Sequence, residues 1–200
     1  PGFQPTYLGA HSQAGRRLGE VHPHLADGDR VLQPNDPELL GDETDLVFLA
    51  LPHGASADIG VELAAAGMLV VDLGSDLRLD SAERYFEAYG TAHPFPDLLE
   101  EWVYGLPELF DVTGAATVAA PGCYPTTAVV GLAPVLAAHL ADPTQITVSA
   151  MSGVTGAGRQ LADHLLFGAV DEGVVAYGVG NHRHRPEMEM ALEATTGLEE

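Results

Sequence analysis

The only cysteine of the chain, Cys123, stands in Ala120-Pro121-Gly122-Cys123-Tyr124-Pro125-Thr126-Thr127. A short apolar stretch, Ala115 to Ala120, leads into it, and a longer one, Ala128 to Leu140, leads away. Strand, glycine turn, cysteine, then helix start is where a thiol meets unpaired backbone N–H groups and the positive end of a helix dipole. Both favour the thiolate, the form that attacks a carbonyl carbon. The alternative is a buried cysteine serving as a small hydrophobe.

A second concentration of chemistry is Asn181-His182-Arg183-His184-Arg185-Pro186-Glu187. Alternating His and Arg before a helix can supply a general base near neutral pH and a clamp for an anion. His182 and His184 share a face if the segment is extended, which allows a metal site. No convincing further ligands stand nearby and two arginines would repel a cation, so no metal is expected. A solvated basic loop is the plain alternative. Ser152-Gly153-Val154-Thr155-Gly156-Ala157-Gly158 can expose backbone N–H groups to a phosphate, a weak signal on its own.

The elements that must position these groups alternate between strand and helix signals. Thr6 to Ala10 reads as a short strand, and Asp45 to Leu51 and Met68 to Leu73 as continuous apolar runs of the kind buried parallel strands need. Between the last two, Ala55 to Ala66 reads as a helix closed by Gly67, and after them Ser81 to Tyr89 reads as another. Thr91 to Phe110 reads as a long irregular stretch. After the cysteine, Gln145 to Met151 and Gly173 to Val179 are expected as strands, Arg159 to Phe167 as a short helix, and Pro186 to Thr196 as a helix with proline in its first turn. This alternation argues for an α/β fold with a parallel sheet. Pro52-His53-Gly54 and Gly74-Ser75-Asp76-Leu77-Arg78 follow two predicted strands at their carboxyl ends, the edge where ligands sit in open α/β sheets. A helix cap for Asp76 and a surface ion pair for Arg78 are the alternatives.

Composition limits the partners. With 46% apolar residues the 200-residue chain can bury a substantial core, and no apolar run reaches the roughly 18 residues of a membrane span. The chain has 29 acidic residues, eight arginines and no lysine, a formal charge of −21, which argues against a broad nucleic-acid-binding face. Any anionic ligand must be met locally, by arginines or helix N-termini. One cysteine permits no internal disulfide, which fits a reducing cytoplasm.

Six segments occur here in one order: Leu51-Pro52-His53-Gly54, Gly74-Ser75-Asp76-Leu77-Arg78-Leu79, Tyr104-Gly105-Leu106-Pro107-Glu108-Leu109, Pro121-Gly122-Cys123-Tyr124-Pro125-Thr126, Ser152-Gly153 through Gly156-Ala157-Gly158-Arg159, and His182-Arg183-His184-Arg185-Pro186-Glu187. Together they resemble the N-acetyl-gamma-glutamyl-phosphate reductases, NADPH enzymes of arginine biosynthesis. The resemblance covers almost the whole chain and is carried most specifically by the Cys and His-Arg-His motifs in combination.

The resemblance implies a partial Rossmann-type NADP-binding domain over residues 1–120 and the start of an α+β catalytic and dimerisation domain over 121–200. It implies Cys123 as the nucleophile toward a small acyl phosphate, N-acetyl-glutamyl 5-phosphate. Phosphate leaves, and hydride from NADPH reduces the resulting thioester to the semialdehyde. His184, with His182 close behind, is expected as the acid–base group. Arg78 and Arg183 are expected to bind substrate, and Glu187 to bind it or to orient one of the histidines. Ser12 and Arg16 would lie by the adenosine ribose, where no acid precedes Glu20, as suits a 2′-phosphate. Pro52 and His53 would border the nicotinamide, and Ser152, Gly153 and Gly156 the cofactor beside the cysteine. The resemblance further implies a homo-oligomer, dimer or tetramer, in the cytoplasm.

The family opens on a Gly-rich turn that this chain lacks, and the end of its catalytic domain is also missing. The 200 residues alone are therefore expected to bind NADPH poorly. Three other activities compete. Aspartate-semialdehyde dehydrogenase shares the Cys and His logic. A Cys-His hydrolase would need no nicotinamide, and an inactive fragment would have structural value only.

Overall fold

The computed structural model describes residues 2–25, 28–41, 44–158 and 161–197. Its frame is a four-stranded, all-parallel sheet with strand order β1-β2-β4-β3. In chain order the elements are α1 (Leu18–Val21), β1 (Leu46–Leu49), α2 (Ala57–Ala65), β2 (Leu69–Asp72), α3 (Ala82–Tyr89), β3 (Val103–Tyr104), β4 (Thr117–Ala119), α4 (Cys123–Ala137), α5 (Phe167–Val170) and α6 (Arg185–Thr196). Leu46 pairs with Leu69 and Val70 with Thr117, so the register brings the carboxyl ends of β1, β2 and β4 together on one edge.

Local chemistry explains the boundaries. Gly67, at φ +79°, takes the left-handed conformation just after α2. Ser81 caps α3 by accepting the Arg84 N–H, and Gly90 closes that helix at φ +71°. Pro186 occupies the first turn of α6, where its missing N–H costs nothing, and Gly197 ends it at φ +68°. In α4 the buried residues Pro125, Ala128, Val129, Ala133 and Leu136 recur at three- and four-residue spacing and form one apolar stripe.

Two apolar clusters hold the frame. One gathers Leu49, Leu63, Val70, Leu77 and Trp102 around α2. The other joins Tyr85 of α3 and Tyr104 of β3 to Val129 and Leu136 of α4 and Met190 of α6. Helices α4 and α6 thus share a core with residues that precede the cysteine, and this core carries the Cys and His segments on neighbouring helix starts.

Several expected elements differ. Thr6 to Ala10 forms only a single bridge, Gly9 to Gln33. Gln145 to Met151 and Gly173 to Val179 are not strands; their apolar side chains are exposed, Val174 by 82%. High β-propensity does not make a strand without a neighbour to complete the ladder, and none is present among the described residues. The helix expected over Arg159 to Phe167 begins outside the described residues. Beyond them it is replaced by a single 3₁₀ turn, Asp163–Leu165, and the one-turn α5. Conversely, β3 lies in the stretch read as irregular, because two residues carry no periodicity to detect.

Candidate active site

Cys123 is the first residue of α4, a fifteen-residue helix, and its side chain is exposed. That removes the alternative of a buried hydrophobic cysteine. The preceding Gly122 is the N-cap, with extended backbone and no side chain to occupy the first N–H groups of the helix. Pro125, in the first turn, removes only a donor that would have lacked an intrahelical partner.

The His-Arg-His segment comes to the same place. The His182 and His184 rings lie 4.8 Å apart, and Tyr124, next to the cysteine, packs edge-on against them at 5.2 and 6.1 Å. His182 Nδ1 accepts the backbone N–H of His184 at 3.1 Å, so the neutral ring carries its proton on Nε2. His184 is 7% exposed, and its Nδ1 has no hydrogen-bond partner among the described residues. Burial, then the neighbouring His182, Arg183 and Arg78, push its pKa down to about 4. Burial and Arg183 also lower His182. Both rings are neutral at pH 7.

Arg183 is exposed between the two histidines. Arg78 and Glu187 are turned inward on one another instead. Arg78 is 8% exposed and donates to the carbonyls of Leu73 and Gly74 and, at 3.4 Å, to Glu187 Oε2. Its ion pair is buried, not at the surface. Glu187, 1% exposed, accepts the Gly122 N–H at 2.7 Å and the Tyr104 hydroxyl at 2.9 Å on Oε1.

Ser152, Gly153 and Gly156 lie on an exposed turn whose 3₁₀ helix spans Val154–Ala157. The turn meets the cysteine through Tyr177. That phenol donates to the Tyr124 hydroxyl at 2.9 Å, interacts with the Ser152 hydroxyl and feels the Cys123 sulfur. The bond to Tyr124 is the main reason its pKa is raised.

On the same sheet edge, Pro52, His53 and Gly54 are exposed after β1. His53 Nδ1 lies 2.8 Å from Ser75 Oγ and 2.9 Å from Asp76 Oδ1, and its ring stacks on Tyr89 at 4.2 Å. Asp76 is fully buried and accepts the N–H groups of Gly54, Ser56 and Ala57, so it caps α2 from the neighbouring loop. Burial opposes its ionisation, but these donors with His53 outweigh burial and hold its pKa low. Ser12 and Arg16 stand apart in the N-terminal loop. There Arg16 bonds Gln13 at 2.5 Å and pairs with Glu20 at 3.4 Å, both exposed.

Tyr104, Tyr124, Tyr177 and Ser56 carry site contacts that sequence reasoning had not singled out. Tyr124 was detectable as the neighbour of the cysteine. Tyr104 opens one of the six quoted segments, but its bond to Glu187 spans 83 residues and leaves no local signal. Among the described residues no group of three or more His, Cys, Asp or Glu side chains is arranged to hold a metal ion, and no helix is long and apolar enough to cross a membrane.

Comparisons with known proteins identify the family. Residues 123–200 match the semialdehyde dehydrogenase dimerisation domain. N-acetyl-gamma-glutamyl-phosphate reductases of Rhodopirellula baltica, Acidothermus cellulolyticus and Salinispora arenicola are 42, 45 and 46% identical over 98% of this chain. The chain spans 57–58% of the length of these relatives. Residues 1–115, more than half of the 200, match the semialdehyde dehydrogenase NAD binding domain, and the chain belongs to the semialdehyde dehydrogenase family.

Proposed function

We propose that the protein is the NADPH-dependent reductase of N-acetyl-glutamyl 5-phosphate, acting in arginine biosynthesis through a Cys123 thioester. The observation that carries this reading is the exposed thiol at the start of α4, with two neutral histidines reaching the same turn through Tyr124. The names of the relatives give the substrate class and favour it over aspartyl phosphate.

His184, neutral at pH 7, takes the thiol proton. Cys123 Sγ then attacks the acyl carbonyl carbon. The new C–S bond forms as the carbon–oxygen bond to phosphate breaks, and phosphate leaves with the electron pair. The first N–H groups of α4 face the oxygen where charge develops. His182, held with its proton on Nε2, donates to that oxygen. Collapse of the reduced adduct breaks the C–S bond, returns the thiolate to Cys123 and releases the aldehyde. Arg183, exposed beside both histidines, is the cation assigned to the substrate's phosphate.

The carboxyl edge of the sheet fits a nicotinamide nucleotide. Pro52 and His53 are exposed on it, Ser75 is half-buried beside them, and the cysteine turn ends the next strand but one. Pro52 and His53 would hold the nicotinamide end, Ser152, Gly153 and Gly156 the stretch beside the cysteine, and Ser12 and Arg16 the ribose 2′-phosphate. Bound there, NADPH supplies the hydride that reduces the thioester carbon.

The test is single-turnover acylation of the full-length protein by the acyl phosphate without NADPH. One phosphate released per protomer, and a mass increase on the Cys123 peptide, is the expected result; no acylation would sink the reading. Steady hydrolysis of the acyl-enzyme without NADPH would point to the Cys-His hydrolase instead.

A further inference from the structure

We propose that Glu187 is a positioning residue that fixes the cysteine turn relative to His184, rather than a group that binds substrate. The inference rests on the reductase reading above for the roles of Cys123 and His184. Glu187 lies in the first turn of α6, three residues after His184, the N-cap of that helix. Its Oε1 accepts the N–H of Gly122, the residue before Cys123, at 2.7 Å. One side chain therefore ties the helix that carries the histidine to the turn that carries the nucleophile.

Two further donors reach the same carboxylate. The Tyr104 hydroxyl donates to Oε1 at 2.9 Å from the end of β3, and Arg78 Nη1 reaches Oε2 at 3.4 Å from the loop after β2. With 1% exposure and three donors from three elements, the carboxylate has neither a route to solvent nor an open face for a ligand. Arg78 is spent likewise, on Leu73 and Gly74 carbonyls and on Glu187. A carboxylate in such a place keeps its charge only because its donors replace water. The surroundings are filled to contact. A Cβ at Gly122 would lie 2.8 Å from Arg78 Nη1, 3.1 Å from Glu187 Oε2 and 3.1 Å from His184 Cε1. The turn, the ion pair and the histidine ring thus meet at one backbone position, where any side chain would crowd all three. A displacement of the turn moves the sulfur relative to the ring, and about 1 Å of misplacement costs roughly 100-fold in rate.

The experiment compares Glu187→Gln and Tyr104→Phe with wild type in the full-length protein. It reads kcat, KM for the acyl phosphate, and the rate at which iodoacetamide alkylates Cys123 at pH 7, followed on the Cys123 peptide. For Glu187→Gln, kcat is expected to fall about 100-fold and alkylation to slow about tenfold, with KM within about threefold of wild type. Tyr104→Phe removes one donor, leaves the carboxylate in place, and is expected to move kcat and alkylation in the same direction by less. It decides the matter if Glu187→Gln does not fold. A rise in KM with kcat and alkylation unchanged would make Glu187 a substrate ligand and overturn the proposal, as would wild-type values in all three. Alkylation needs neither substrate nor cofactor. A wild-type protein that alkylates normally but is never acylated therefore overturns the reductase reading and leaves this test standing.

Discussion

Asp76 Oδ1 accepts the backbone N–H of Gly54 at 2.8 Å, so the loop after β2 holds the loop after β1. The Ser56 hydroxyl extends the link, standing 3.1 Å from both Asp76 Oδ2 and Asp72 Oδ2. Two fully buried carboxylates and one hydroxyl thus brace the edge where Pro52 and His53 are exposed.

These two carboxylates are expected to act on stability with opposite signs. Asp76 has a lowered pKa, so its contribution is present above the unfolded value of about 3.9 and is lost as pH falls through the folded value. Burial raises Asp72 despite its bonds to Gly74 and Ser56, with Asp76 adding to the rise, so its ionisation costs stability as pH climbs past about 3.9. At pH 7, Asp76→Asn should lower stability by about 1–3 kcal/mol, because it weakens acceptors facing buried N–H groups. Asp72→Asn should leave stability unchanged or raise it. Urea unfolding midpoints of the two variants check the difference. Equal losses would contradict it.

Gly122 and Gly131 should respond oppositely to alanine. At Gly122 the new methyl meets Arg78, Glu187 and His184 at 2.8–3.1 Å and should cost about 1–3 kcal/mol, with slower alkylation of Cys123. At Gly131, inside α4, nothing lies within 4 Å, and alanine should stabilise by about 0.5–1 kcal/mol. Thermal unfolding of the pair is the measurement.

His184 should titrate near pH 4 in the folded protein. The unfolded chain takes up this proton near 6.5, so its contribution is complete above that value and is lost as pH falls from 6.5 toward 4. Replacing His184 with Gln should flatten the stability profile across this window. NMR titration of the His184 C2–H resonance gives the pKa directly, and a midpoint near 6.5 would refute the assignment.

The apolar tracts Gln145 to Met151 and Gly173 to Val179 have no ladder partner among the described residues. In the 200-residue chain their amides should exchange with solvent within seconds to minutes, while those of β2 and α4 remain protected. Hydrogen exchange followed by mass spectrometry, peptide by peptide, compares the two groups.

Much of the frame was legible because its signals are local. The runs Asp45 to Leu51 and Met68 to Leu73 hold β1 and β2, and the glycine before Cys123 marks a helix start that the structure reproduces. The tracts at 145–151 and 173–179 misled because β-propensity describes a residue's fit to a sheet, while a strand also requires a neighbour.

Residue order alone determined the setting of the proposed nucleophile: the solitary Cys123 after a strand and glycine turn, and a paired-histidine segment just before a later helix. Only the tertiary structure decided what joins them. Glu187 reaches Gly122 across 65 residues, Tyr104 across 83 and Arg78 across 109. No local pattern encodes such contacts, because a buried carboxylate finds its donors only when separate elements pack around it. The same packing paired Arg78 with Glu187 in the interior and left Cys123 exposed on the turn that Tyr124 joins to His182 and His184.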